Sequence, residues 1–166
     1  MKTRTRDYFA GALIVGIIAA ALLIGAMNKI MLVAVAAGAA AQLGKALTCS
    51  VRARRFLPLA FFEIAGMPSG HTATTVAITT AIYLATGPSN LFVFCLVVSG
   101  HVVHDLLTHE RVIERHAERI NALLRLLPIR LRYEPLIVQF GHSPSEVLIG
   151  GLLGYGVARL VWLWPI

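Results

Sequence analysis

Long apolar stretches separated by short polar segments dominate the chain. A helix needs about 20 apolar residues to cross a bilayer core of about 30 Å, and several stretches reach or approach that length. The polar segments with room for chemistry run from about 48 to 67 and from about 108 to 143. We therefore predict an all-α, polytopic membrane bundle with about five transmembrane helices, at about 8–27, 30–47, 71–86, 91–107 and 144–164.

The second polar segment carries a helical pattern of its own. Apolar residues and one histidine recur there at three- and four-residue steps between arginines and glutamates, which predicts an amphipathic helix lying on the bilayer surface. They are Val112, Ile113, His116, Ile120, Leu123, Leu124 and Leu127. Elsewhere, the alanines and glycines of 34–41 predict close helix packing within the membrane. No internal repeat divides the chain, so residues 1–166 form one predicted domain.

Composition and charge agree with a membrane protein. Hydrophobic residues make up 57% of the 166 residues, charged residues only 14%, and the mean hydropathy of +0.75 is too high for one soluble core. Of the 15 Lys and Arg, 12 lie before the first predicted helix or in the two long polar segments, and Lys45 lies beside one of these segments, near the end of the second predicted helix. The positive-inside rule therefore places those segments in the cytoplasm, which suggests a prokaryotic cytoplasmic membrane. We attribute the net charge of +7 to contact with membrane lipids and expect no nucleic-acid partner.

Three short polar patterns fall at the predicted cytoplasmic helix ends. Lys45 and Arg52 follow the second helix, GMPSGH occupies 66–71, and GHSPSEV occupies 141–147. In GMPSGH, proline, serine and glycine open a helix whose free N–H groups and positive dipole end can hold an anion, with His71 in the first turn. Alternatively, the motif simply starts a helix and His71 is an interfacial histidine.

The GHSPSEV pattern also has two interpretations. Ser143 and Glu146 fit a capping box, with proline at the first helical position. Glu146 also stands four residues after His142, where it could hold the imidazole in one tautomer and stabilise its cationic form. The spacing leaves both uses open.

Together these patterns resemble the type 2 phosphatidic acid phosphatase (PAP2) superfamily, which includes the vanadium haloperoxidases and has the signature KxxxxxxRP, PSGH and SRxxxxxHxxxD. The closer resemblance is to a small divergent branch of membrane proteins, with QxxK, GMPSSH, an aspartate ending a helix, a later asparagine and GHTPxEVxxG. The matching positions are Gln42, Lys45, 66–69, His71, Asp105, Asn121 and 141–150. Three positions depart from the superfamily pattern: Ala53 replaces proline after Arg52, Glu146 replaces aspartate, and Leu136 stands where the third motif has arginine.

The resemblance implies a metal-independent lipid-phosphate phosphatase that needs no cofactor and works through a phosphohistidine. His142 would attack phosphorus, Glu146 would steady it, and His71 would protonate the leaving alcohol. The expected substrates are membrane phosphomonoesters such as phosphatidylglycerophosphate, phosphatidic acid or a polyprenyl phosphate. The groups expected to hold the phosphate are Lys45, Arg52, Ser69 and Gly70, with Arg111 or Arg115 in place of the missing arginine.

Two other functions remain open at this point. His101, His104 and Asp105 share one predicted helix face, and ionisable groups within a membrane are usually functional, so a metal-handling or transport protein is one alternative. Further ligands would come from His71, His109 and His142, although no compact metal-binding motif is present. The other alternative is a non-catalytic relative that binds lipid, and the missing arginine favours it.

Overall fold

A computed structural model of the protein describes residues 16, 29–56, 66–126, 135, 136, 138 and 141–165. No strand occurs among these residues, which confirms the all-α class. Apart from Gly16, the predicted first helix at 8–27 lies outside the described residues. The described helices are α1 (Lys29–Ala53), α2 (Gly70–Thr86), α3 (Asn90–Leu107), α4 (His109–Leu126) and α5 (Pro144–Leu163).

Serine caps set where three of these helices begin. Ser69 accepts a hydrogen bond from the Thr72 amide at 3.4 Å and starts α2, and Ser89 accepts one from Phe92 at 3.2 Å and starts α3. Ser143 does the same for α5. An N-cap hydroxyl satisfies an amide that has no partner within the helix, so these boundaries lie within one residue of the predicted ones.

Helix α1 continues six residues beyond its predicted end at 47, to Ala53. The hydroxyls in this polar extension are accommodated within the helix, because Thr48 donates to the Lys45 carbonyl at 3.0 Å and Ser50 donates to the Ala46 carbonyl at 2.7 Å. The basic segment therefore starts as helix, and Arg52 lies in the last turn of α1.

Within the part of the chain that the structure describes, three helical stretches are long and apolar enough to cross a membrane. They are Lys29–Ala53, Asn90–Leu126, which joins α3 to α4, and Pro144–Leu163. The segment predicted to be amphipathic is helical as α4. These properties are those of a membrane protein.

Small residues bring α1, α2 and α5 close together. The predicted packing role of the Ala/Gly run is confirmed by Ala37 and Ala41, which are fully buried. A Cβ added at Gly150 would lie 2.5 Å from the Ser69 carbonyl oxygen, and one at Gly154 would collide with the Ala73 backbone. Helix α5 can therefore pack directly on the backbone of α2.

The helix directions place all three sequence motifs at one end of the bundle. At the opposite end, Lys29 begins α1, donates to the Trp164 carbonyl at 2.9 Å, and lies 5.2 Å from the centre of the Trp162 ring. The start of α1 thus meets the end of α5. The end of α1 and the starts of α2 and α5 lie together at the other end.

Candidate active site

The GMPSGH turn is held between α1 and α5. The Ser69 amide donates to the Glu146 carbonyl at 3.1 Å, and the Thr48 hydroxyl donates to the Met67 carbonyl at 2.7 Å. Ser69 is fully buried, and its hydroxyl oxygen accepts from the Thr72 hydroxyl at 3.1 Å as well as from the Thr72 amide. These bonds fix the start of α2, where His71 stands.

His142 is the most distinctive group in the site. Its side chain is almost completely buried, and its Nδ1 lies 2.7 Å from Glu110 Oε2. A carboxylate accepts hydrogen bonds only, so Nδ1 carries a proton, and in the neutral ring Nε2 carries the lone pair. Among the described residues, this buried Nε2 has no hydrogen-bond partner. The imidazole therefore presents an unused nucleophilic nitrogen.

His71 lies beside this imidazole, and Lys45 lies beside the first turn of α2, which carries His71. The ring centres of His71 and His142 are 6.0 Å apart, with the rings at 76°. Lys45 is 3% exposed, and its Nζ would be 3.8 Å from a Cβ built on Gly70. A buried ammonium and a helix N-terminus thus converge near both histidines, an arrangement that favours a bound anion.

Helix α4 supplies the groups on the other side of His142. Arg111 Nε donates to the His142 carbonyl at 3.2 Å, next to Glu110 on the same helix. The approach is close because Gly141 has no side chain: a Cβ there would lie 2.5 Å from Glu114 Oε2. Further along α4, the Asn121 amide exchanges two 2.9 Å hydrogen bonds with the Leu136 backbone.

Several predicted site residues therefore come together, namely Lys45, Gly70, His71, Arg111 and His142. Arg52 is exposed about two turns beyond Lys45, and Arg115 is exposed with its Nε donating to the Arg111 carbonyl at 3.3 Å. Ser69 lies in the buried turn as the cap of α2.

The spacing of Glu146 allowed two arrangements, and in the structure Glu146 adopts the capping one. Its Oε2 accepts from the Ser143 amide at 2.8 Å, and the Ser143 hydroxyl accepts from the Glu146 amide at 3.3 Å. The carboxylate on His142 is that of Glu110, which the sequence interpretation missed. One signal could have found it, because Glu110 shares the inner face of α4 with the buried Ala117 and Asn121.

The family comparison agrees with these motifs. The model of the divergent PAP2 family matches residues 26–157. The chain belongs to the divergent PAP2 family. The match covers every residue assembled around His142, including Glu110 and Arg111 of α4. No curated protein and no solved structure matches the chain.

Proposed function

We propose that this member of the divergent PAP2 family is a metal-independent phosphatase that hydrolyses a lipid phosphomonoester through a phosphohistidine at His142. The observation that carries the proposal is the state of that imidazole. It is buried, its Nδ1 proton is held by Glu110, and its Nε2 has no partner among the described residues. A histidine that served only packing would not need an oriented, unpaired nitrogen beside a second histidine and a buried lysine.

In the first half of the reaction, Nε2 of His142 attacks phosphorus. The P–N bond forms as the ester P–O bond breaks, and His71 gives its proton to the departing alcohol oxygen. His142 becomes cationic in this step. Glu110 holds the Nδ1 proton and offsets the new positive charge, which is the role predicted for Glu146.

In the second half of the reaction, a water molecule attacks phosphorus and displaces His142. Neutral His71 accepts a proton from the water as its oxygen attacks, the P–N bond breaks, and the electron pair returns to Nε2. Phosphate leaves and His71 is again protonated. The cycle restores both histidines, and its proton transfers use side chains and water.

Positive groups around the histidines would stabilise the phosphoryl oxygens. Lys45 and the first turn of α2 at Gly70 lie next to each other, so they form the centre of the proposed phosphate site. Arg111 replaces the missing superfamily arginine, because its Nε already bonds to the His142 backbone and its outer guanidinium nitrogens remain available for phosphate. Arg52 and Arg115 would act from the rim, and Ser69 would offer its hydroxyl proton.

The substrate class follows from the position of the site at one end of apolar helices. A substrate with its acyl or prenyl chain in the bilayer can present a phosphate there without leaving the membrane. We further propose five spans, with α4 lying on the cytoplasmic membrane surface and the active site facing the cytoplasm. The basic segments beside the site support this orientation.

Vanadate binding combined with a phosphatase assay tests the proposed function. The purified full chain, in detergent or vesicles, should bind vanadate and release phosphate from a phosphatidylglycerophosphate, phosphatidic acid or polyprenyl phosphate panel. His142→Ala should abolish release, whereas His116→Ala, at an exposed position on α4, should retain it. Vanadate binding without release from any substrate would favour the non-catalytic alternative. Full release by His142→Ala would exclude the phosphohistidine mechanism.

A further inference from the structure

A second cluster of metal-ligating side chains lies at the corner between α3 and α4, outside the proposed phosphatase site. His109 Nδ1 is 2.8 Å from Asp105 Oδ1, and His104 Nδ1 is 3.6 Å from the same oxygen. The two imidazole rings are 5.8 Å apart at 75°. One ligand atom from each of the three residues lies within 4.8 Å of the others.

We propose that His104, Asp105 and His109 bind one late first-row divalent metal ion, with Zn²⁺ as the ion used to test the site. Zinc bonds to nitrogen or oxygen at about 2.0–2.1 Å place tetrahedral ligand atoms about 3.4 Å apart. The separations of 2.8 and 3.6 Å lie on either side of that value, and the His104–His109 pair lies within 4.8 Å, so side-chain rotations would bring the three atoms to zinc distance. Two imidazoles and one carboxylate suit zinc, nickel or copper far better than magnesium or calcium.

The local contacts distinguish this set from the neighbouring histidine on the same helix. His101 Nδ1 lies 2.9 Å from the Val97 carbonyl, so His101 is engaged with its own helix. Thr108 lies between the two helices and donates its hydroxyl proton to the His104 carbonyl at 2.7 Å. The third ligand of the cluster is therefore His109 from α4. Spacing along one helix had suggested His101 as that ligand.

The three side chains are 60–70% exposed, so a metal ion and its remaining water ligands have access. Ligands from α3 and α4 would be joined by the ion, which should stabilise the corner against unfolding. This corner precedes Glu110 directly, although the site itself does not depend on the proposed phosphatase chemistry. The ion takes no part in phosphoryl transfer.

The test is zinc binding by the full chain purified without a histidine tag. Because His71 and His142 could also bind zinc, binding is measured by equilibrium dialysis in a His71→Ala/His142→Ala background. We expect one zinc ion per chain. Adding His104→Ala, Asp105→Asn or His109→Ala should weaken zinc affinity by about tenfold or more. Loss of a residue that only orients a ligand already has an effect of about this size, and loss of a ligand should have at least as large an effect. Adding His101→Ala, the matched control on α3, should leave the affinity unchanged.

Cobalt provides a second measurement in the same His71→Ala/His142→Ala background. Co²⁺ added to this double variant should give visible absorption bands that His109→Ala removes and His101→Ala preserves. The proposal is overturned if the double variant binds no zinc at millimolar concentration. Equal affinity in the His104, Asp105 and His109 variants, or loss of binding with His101→Ala, would also overturn it.

Discussion

The most informative substitution is Glu110→Gln. Glutamine has nearly the same shape, and its Oε1 can still accept the Nδ1 proton of His142, whose bond to Glu110 is 2.7 Å long. The variant therefore removes the negative charge and keeps the hydrogen bond. Any loss of rate then reports how much that charge stabilises the cationic His142 formed as phosphorus is attacked.

The size of the effect follows from the geometry. With the charges about 4 Å apart and an effective dielectric constant of about 20, the attraction between full charges is about 4 kcal/mol. The Glu110 side chain is 30% exposed, so solvent screens part of it. The charge on His142 is also incomplete in the transition state, and we take about half of the full value. A cost of about 2 kcal/mol lowers kcat about thirtyfold, since each 1.36 kcal/mol is about a factor of ten.

The assay is steady-state phosphate release from a lipid phosphomonoester in mixed micelles, with thermal unfolding followed in parallel. Glu146→Gln is the matched control, because glutamine still serves the capping box with Ser143. It should change kcat by less than about twofold, an effect smaller than about 0.5 kcal/mol. An unchanged rate in Glu110→Gln together with a large fall in Glu146→Gln would refute the assignment and return the role to Glu146.

Other consequences of the structure can be measured independently. His71→Ala should slow phosphorylation of the enzyme most for substrates with poor leaving groups, because an activated aryl phosphate needs little protonation; equal losses for all leaving groups would contradict that role. Gly154→Val should lower the melting temperature strongly, since any Cβ there meets the α2 backbone, and an unchanged melting temperature would contradict the packing. In a cysteine-free background, an impermeant thiol reagent on intact cells should label Ser89→Cys and not Ser50→Cys; the reverse pattern would overturn the proposed topology.

Local sequence signals predicted most of the helical architecture. Apolar length gave the positions of α2, α3 and α5, and the capping box predicted at Ser143 starts α5. The structure adds N-caps at Ser69 and Ser89. The end of α1 was predicted too early, because hydropathy falls at the basic segment while the hydroxyls there bond within the helix. Hydropathy measures the environment of a helix and does not by itself mark its end.

The candidate site was predictable where a motif is short and local. His71 stands near His142, and Lys45 stands near Gly70 at the start of the same helix, as the combined motifs suggested. The Glu110 contact was missed because 32 residues separate it from His142 and the contact depends on how the α3–α4 corner turns. Helical spacing places Glu110 on the face of α4 that carries Ala117 and Asn121, but it does not show which other segment that face meets. The close approach of Gly141 to α4 brings His142 to this face.

Detection of the covalent intermediate tests the central claim most directly. The enzyme is mixed with a ³²P-labelled lipid phosphate, quenched within milliseconds in base, where phosphohistidine survives, and digested for mass spectrometry. We predict label on the peptide that contains His142, with formation and decay fast enough to account for turnover, and no label in His142→Ala. Turnover by the unaltered enzyme with no labelled peptide under conditions that preserve phosphohistidine, or label on a different residue, would contradict the mechanism.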